Sequence, residues 1–451
     1  MHVPAAFYRG GTSRGLFFRA ADLAPFQPSV RDQIICTAMG SPDPDRRQID
    51  GLGGGVSSLS KTAVLSAPGV GLYNRVLAEL GSAWGLPGKP FVDDQAMASD
   101  PKTGWDVVYR FGQVPIAQGT TVDWSSTCGN LLSAVALYAV QMRIMRQENI
   151  AQRAAELGAE HTFRLPIRIM MASPGTRALV YVPMIRRDTR HGAVWMLSEV
   201  DDTAIAGVPG KAPGITVEMA LEASPLPTGN VRDTVDVDGR TIPVTVIDAG
   251  LPTVFVHAAD LGASSAQMAG PAAALDTDRA LHARIESVRQ QAARLTPALA
   301  AGLCLSAPKV CLVHPRAPYT TSGGVAIAAE DMDVLVRAVS VGDAHRSIPA
   351  TALSAFAVGA ALADSVVAQA MAQGGAVCAP PAANLRSIKI GQPAGTSTAI
   401  AKLGAQGPEA IVYGRTARRI MHGTVDVPRS VAPRWDPMYS DVFERLKHRA
   451  T

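Results

Sequence analysis

Charge is what this 451-residue chain has least of: Asp, Glu, Lys and Arg together make 18% of it, and the surplus is only +4. No run of like charge gathers anywhere, so neither an acidic tail nor a nucleic-acid footprint is expected. A mild positive balance suits small anionic substrates. Long hydrophobic runs are missing too. The most apolar helical stretch, Ala350 to Ala363, covers about 14 residues, too short for a bilayer, and reads as a core helix. No membrane association is expected.

Cysteine is scarce. Cys36, Cys128, Cys304, Cys311 and Cys378 are odd in number and widely spaced, which suggests neither a disulfide framework nor a zinc site. A reducing, cytoplasmic location fits best. The opening MHVPAAFYRGG has no basic segment followed by an apolar run, so no signal peptide is expected. Nine scattered histidines offer no His-Glu-x-x-His pattern, and no metal centre is expected. Lys61-Thr62 follows Ser60 where a Walker A loop needs glycine. Gly51 to Gly55 lacks the spacing of a dinucleotide fingerprint. No cofactor is therefore expected.

What remains is a globular composition, 47% hydrophobic, with a length that suits two domains or three. Proline and glycine crowd from Pro213-Gly214 to Gly229-Asn230, which places the passage into a second domain near residue 212. Strands are expected at 3–8 and 16–18, at 62–65, and at 105–111 paired with the 114–116 neighbourhood. Others fall at 162–169, 178–182, 234–238, 242–247, 254–256, 310–313, 335–341, 387–390 and 410–413. Helices are expected from Leu131 to about Arg146, from about Ile150 to Leu157, and from Asp278 to about Arg294. In the last of these, Leu281, Ile285 and Val288 share a face. Both halves thus hold strands around one unusually apolar helix, an internal similarity without obvious sequence identity between the halves.

Three stretches carry chemistry. In Trp124-Ser125-Ser126-Thr127-Cys128-Gly129-Asn130, the cysteine stands at or just before the helix that begins near Leu131. Unsatisfied N–H groups and the positive end of the helix field there favour a thiolate or a bound carboxylate; a buried small hydrophobe is the plain alternative. Arg9 to Gly15 reads as a turn between strands, with Thr12, Ser13 and Arg14 as donors to an anion or as a simple hairpin. Asp50 to Lys61 holds Gly51, Gly53, Gly54 and Gly55 and then Ser57, Ser58 and Ser60, a candidate carboxylate cradle beside Lys61. A lysine opening a strand is ordinarily solvent-facing; beside an anion nest it becomes a candidate base. Arg415, Arg418 and Arg419 follow the strand near residue 412 and could meet carboxylates, with surface charge the alternative for Arg419. A cofactor-free proton transfer uses such parts naturally: a base with pKa near working pH, an acid opposite, and donors for developing charge.

The pieces YRGGTSRGLFF, DGLGGGVSSLSK, STCGNLLSAVALYA, VIDAGLPTVFVHAADLG, VSVGDAH, IGQPAGTS and GRTARRIMHGTVDVP resemble, in order, the PrpF-like isomerases, relatives of diaminopimelate epimerase. The resemblance runs from Tyr8 to about Pro428. It implies an α+β, diaminopimelate epimerase-like fold: two similar domains, each a curved sheet around a central helix, with the site between them. Residues 1–212, completed by about 408–440, would form one domain and 213–407 the other. The implied activity is cofactor-independent isomerisation of an unsaturated tricarboxylate such as aconitate or 2-methylaconitate, by double-bond shift or cis/trans change. Alternatives are an oxalomesaconate tautomerase, a methylitaconate isomerase, a phenazine-biosynthesis-type isomerase, or a non-catalytic carboxylate-binding accessory to a partner hydratase.

The family's catalytic lysine falls on Lys61 and its cysteine on Cys128. Thr12, Ser13, Arg14, Gly54, Gly55, Ser57, Ser60, Gly129, Asn130, His345, Arg415 and Arg418 are the expected substrate contacts. Epimerases of the wider fold use two cysteines, one at each central helix. Here Ser347-Ile348-Pro349 precedes the second helix, which favours the lysine–cysteine arrangement. Leu251 and Gln392 depart from the asparagine and histidine common in relatives, and either could alter a substrate contact. Which of Lys61 and Cys128 is the base, and whether the protein forms a homodimer, are left open.

Overall fold

The computed structural model describes residues 1–68, 98–100, 104–171, 177–190, 192–221, 224–304, 306–340, 342–376, 384–428 and 430–431; Cys378 lies outside them. Two helices are apolar on every face and therefore cannot sit at a surface. They are α1 (Leu132–Gln141, LSAVALYAVQ) and α2 (Ala350–Ala361, ATALSAFAVGAA). Alanine and leucine make both good helix formers. Helix α1 stops short of the expected Arg146 because Arg143 takes a left-handed conformation, φ 57°, just past Met142. Helix α2 likewise ends before Asp364, φ 67°, after which the chain turns into a separate helix at Val366–Gln373. Among the described residues no single helix is long and apolar enough to cross a membrane.

Around α1 lie β1 (His2–Gly10), β2 (Ser13–Arg19), β3 (Lys61–Ser66), β4 (Val107–Gln113), β5 (Thr162–Met171), β6 (Arg177–Thr189), β7 (Gly192–Leu197) and β8 (Ile215–Ala220). The second series is β9 (Asp233–Val237), β10 (Arg240–Asp248), β11 (Pro252–His257), β12 (Lys309–Pro315), β13 (Tyr319–Thr320), β14 (Ala326–Ile327), β15 (Val334–Ser340) and β16 (Asp343–Ala344). It continues with β17 (Leu385–Gln392), β18 (Gly395–Gly404), β19 (Gly407–Arg415) and β20 (Ala417–Asp426). Apart from the small pair β13 and β14, the strands form one 18-stranded sheet.

The sheet is an unbroken ladder. It runs from β20 through β1, β2, β3, β4, β5 and β6 to β8, then through β19, β18, β17, β15, β12, β11 and β10 to β9. It wraps twice. Helix α1 packs against β1, β20, β5, β6 and β8, and α2 against β10, β11, β17, β18 and β19. Both helices belong to one continuous hydrophobic core, in which Tyr138 and Phe356 are among the largest fully enclosed or nearly enclosed side chains. A second core under the outer part of the sheet takes Leu281, Ile285 and Val288 from the amphipathic helix Arg279–Ala293, as their spacing implies.

Two expectations need correction. The partners of β4 are β3 and β5, and the Val114–Ile116 neighbourhood is not a strand. Arg415 ends β19 rather than following a strand, while Arg418 and Arg419 lie within β20.

Candidate active site

The turn between β1 and β2 is two residues long, with Gly10 paired to Ser13. Gly11 there has φ +52°, and a Cβ on it would lie 2.6 Å from Asn130 Oδ1 and 2.9 Å from Arg415 Cδ. Only glycine lets this hairpin tip press against the segment before α1. Cys128, Gly129 and Asn130 form the turn that leads into α1, with Leu131 N–H donating to Cys128 O at 3.1 Å. The tip and the turn together make one wall of a cavity, to which Thr12, Ser13, Cys128, Gly129 and Asn130 contribute.

Lys61 forms the next wall. A lysine opening a strand is ordinarily solvent-facing, but Lys61, the first residue of β3, is buried, as its candidacy as a base requires. Its Nζ donates to Gln113 Oε1 at 2.8 Å and sits 4.9 Å from the centre of the Phe111 ring. Gln113 is itself locked, because its Nε2 donates to Ser57 O at 3.1 Å and to Ser60 O at 2.9 Å. The amide oxygen is thereby committed to Lys61. Burial holds the Lys61 pKa below that of a free lysine, and the Cys128 thiolate, when formed, works in the opposite direction. Cys128 Sγ lies 3.9 Å from Ser13 Oγ.

The glycine-rich loop is not the open cradle its composition suggests. The N–H groups of Leu52 and Gly53 donate to Ala38 O and Met39 O, and that of Gly55 donates to Gln48 Oε1 at 2.9 Å. Ser60 Oγ is spent on Gln48 Oε1 and Val56 O. Gly54, Gly55 and Ser60 therefore shape the loop from behind. The part that reaches the cavity is the single turn Ser57–Leu59, through Ser57 and Ser58.

Strand geometry also removes the arginines. Successive side chains point to opposite faces, so Ser13 enters the cavity while Arg14 lies on the other side, its guanidinium 5.8 Å from the Phe7 ring centre. Arg418 is exposed on β20, opposite Arg9. Arg415 is buried behind the wall, donating from Nε to Asn130 Oδ1 at 2.8 Å and resting on the Tyr413 ring. That bond leaves the Asn130 amide nitrogen to face Thr12 and Ser13, at 3.3 and 3.5 Å from their hydroxyl oxygens. Arg415 thus positions Asn130 and does not line the cavity. Leu251 and Gln392, expected as specificity positions, are buried and do not line it either.

The second half closes the cavity with His345, Ser347 and Lys309. Burial and the two lysines push the His345 imidazole down to about 3, so it is neutral at pH 7. Lys309, the first residue of β12, was missed. Its Nζ donates to Ser306 O at 3.0 Å, and burial, followed by the charge of Lys61, lowers its pKa to about 8. A signal was present: Ser306-Ala307-Pro308-Lys309 before an apolar strand echoes Ser58-Leu59-Ser60-Lys61 before another. Among the described residues the cavity lining contains two lysines and no aspartate or glutamate. No group of three or more potential metal ligands occurs among them.

A cysteine and a buried lysine thus face one cavity within a twice-wrapped sheet. The fold matches the crystal structure of methylitaconate-delta-isomerase with a TM-score of 0.64 at 24% identity, covering 96% of this chain and 97% of that one. The chain belongs to the PrpF protein family, which it matches over residues 1–70 and 94–428.

Among its relatives, the 2-methyl-aconitate isomerase of Shewanella oneidensis is 31% identical over 95% of this chain and 97% of its own. That of Cupriavidus necator is 30% identical over 94% and 97%. The 4-oxalomesaconate tautomerase of Pseudomonas putida is 33% identical over 70% and 71%. This chain is accordingly an isomerase.

Proposed function

We propose that the protein isomerises a small unsaturated polycarboxylate, a tricarboxylate such as aconitate or 2-methylaconitate, without a cofactor. The observation that carries this reading is the cavity lining: two lysines, a thiol and several hydroxyls, with no acidic side chain among the described residues. Such a lining favours an anion with more than one carboxylate. The names of the relatives support the same substrate class.

Lys61 is the base in this reading. A lysine removes a proton only in its neutral form, and burial shifts Lys61 toward that form. Its neutral acceptor Gln113 holds the amine without stabilising the ammonium as a carboxylate would. Lys61 Nζ takes the allylic proton, leaving a dienolate delocalised into the substrate carboxylate. The Cys128 thiol then gives a proton to the far carbon, and the double bond has moved. Proton exchange with water returns Lys61 and Cys128 to their starting forms. Thr12, Ser13, Ser57 and Asn130 donate hydrogen bonds to the carboxylates. The reading adopts two lobes, residues 1–212 with about 408–440 and residues 213–407, except that β8, which pairs with β6 and packs on α1, goes with the first; described residues of both lobes line this cavity.

The test is incubation of the pure protein in deuterated water with cis-aconitate, trans-aconitate and 2-methylaconitate, followed by proton resonance. New isomers carrying deuterium at the carbon that gains a proton are expected. Absence of both new isomers and exchange with every acid would overturn the proposal.

A further inference from the structure

Lys309 has a structural counterpart, and that counterpart is Lys61. Strand β3 runs parallel to β2, with Lys61 opposite Gly15, and antiparallel to β4. Strand β12 runs parallel to β11, with Lys309 opposite Thr253, and antiparallel to β15. Beyond them β4 is parallel to β5 as β15 is to β17, and β5 and β17 each continue to an antiparallel neighbour. Helix α1 lies in the connection from β4 to β5, and α2 in the connection from β15 to β17. The two halves repeat one motif, and each opens its equivalent strand with a buried lysine facing the same cavity.

Proton removal beside a carboxylate adds a second negative charge to that group, which needs a cation already in place. Lys61 is occupied as the base. His345 is neutral at pH 7, and Arg14, Arg415 and Arg418 do not line the cavity. Among the described residues, Lys309 is the remaining cation in the lining. We propose that Lys309 is a catalytic residue, its ammonium holding the substrate carboxylate conjugated to the carbon that Lys61 deprotonates, so that the dienolate forms against a fixed positive charge. This rests on the isomerase reading above.

Two like charges facing one cavity disfavour each other, as the charge of Lys61 does at Lys309, and in this proposal the effect is reciprocal. The titratable groups facing Lys61 are Cys128 from the turn before α1, Lys309 from β12 and His345 from the segment after β16. Lys309 also feels Cys304 and Cys311. A positive neighbour favours neutral Lys61, so loss of the Lys309 charge raises the Lys61 pKa. The acidic limb of kcat/KM must then move to higher pH.

The experiment compares wild type with Lys309→Met and Lys309→Gln across pH, following an unsaturated acid by ultraviolet absorbance. The neutral variants are expected to lose about a hundred-fold or more in kcat, and their acidic limb to rise by about one pH unit. Loss of packing alone would not move the limb. A second measurement needs no change at Lys309: Lys61→Met, with Lys309 intact, should bind the saturated analogue tricarballylate more weakly as alkaline pH discharges Lys309. That discharge falls at a pH above 8, because the charge of Lys61 no longer lowers the Lys309 pKa. Kinetics in both neutral variants within threefold of wild type, with an unmoved limb, would overturn the proposal. So would flat tricarballylate affinity from pH 7 to 10 in Lys61→Met. A wild-type protein that converts no acid and exchanges no deuterium fails the isomerase reading itself, which keeps the two failures distinct.

Discussion

Replacing Gln113 by glutamate changes one atom group and reverses the electrostatics of Lys61. In the native site the amide oxygen accepts from Lys61 Nζ at 2.8 Å. A carboxylate oxygen in its place would attract the ammonium with about 6 kcal/mol at an effective dielectric of about 20. Burying the new carboxylate cancels part of that, and opposite charges at such range raise a lysine pKa by about 1–3 units in practice. The sign follows directly. Burial depresses the Lys61 pKa and so favours the free amine; Gln113→Glu favours the ammonium. At pH 8 the neutral fraction, and with it kcat/KM, should drop about 10- to 1,000-fold. The loss should be recovered tenfold per pH unit as pH rises toward the new pKa.

The assay is kcat/KM for an unsaturated tricarboxylate between pH 6 and 10, with circular dichroism to show that the variant is folded. Gln113→Leu serves as the control. It removes the acceptor without adding charge, so its profile should fall in height and keep its acidic limb. If the limb of Gln113→Glu stays where the wild-type limb lies, Lys61 is not the base. If the variant instead keeps its activity at a high pH where the wild-type rate has fallen, Lys61 is the acid and the assignment is reversed.

Lys61→Ala should abolish turnover, leaving less than about one part in a thousand, while melting as a folded protein; near-native rates would refute its role. Cys128→Ala should lose about 10²–10⁴ in isomer formation yet still exchange the allylic proton of the substrate with deuterium, because that half of the reaction belongs to Lys61. Equal loss of exchange and isomerisation would place the thiol in the first step. Gly11→Ala forces an L-residue into a left-handed conformation, at about 1–2 kcal/mol, and drives its Cβ against Asn130 and Arg415. Its melting temperature should fall, and its KM should rise because Asn130 is displaced; a wild-type KM would show that Asn130 does not touch substrate.

The helices were legible because their composition leaves no alternative. A segment such as Leu132–Gln141, with no charged residue, has to be buried on every side. Hairpin strands were legible from their glycine turns. Lys61 and Cys128 stood out through local pattern and family resemblance. The arginines were misread because a side chain's face depends on strand register, which one residue of slip inverts. Ser13 and Arg14 are neighbours in sequence and opposite in direction. The glycine-rich loop was misread for another reason: the acceptors of its N–H groups, Ala38, Met39 and Gln48, come from an earlier helix and turn, outside the motif. Lys309 was overlooked because its meaning lies in its pairing with Thr253 and in a cavity shared with residues from the other half.

The repeat explains why such a site can hold two buried lysines at all. A cation out of water is unfavourable unless something answers its charge. Among the described residues, neither Lys61 nor Lys309 has a carboxylate in the lining; each donates to a neutral oxygen, Gln113 Oε1 in one half and Ser306 O in the other. These charges have no answering carboxylate among the described lining residues, and both pKa values fall, by burial for Lys61 and by burial beside a like charge for Lys309. A polycarboxylate relieves this strain on entry, and relieves it most when its charge is greatest, as the dienolate. In the proposed reaction, the negative charge created is thus met by cations already in the lining.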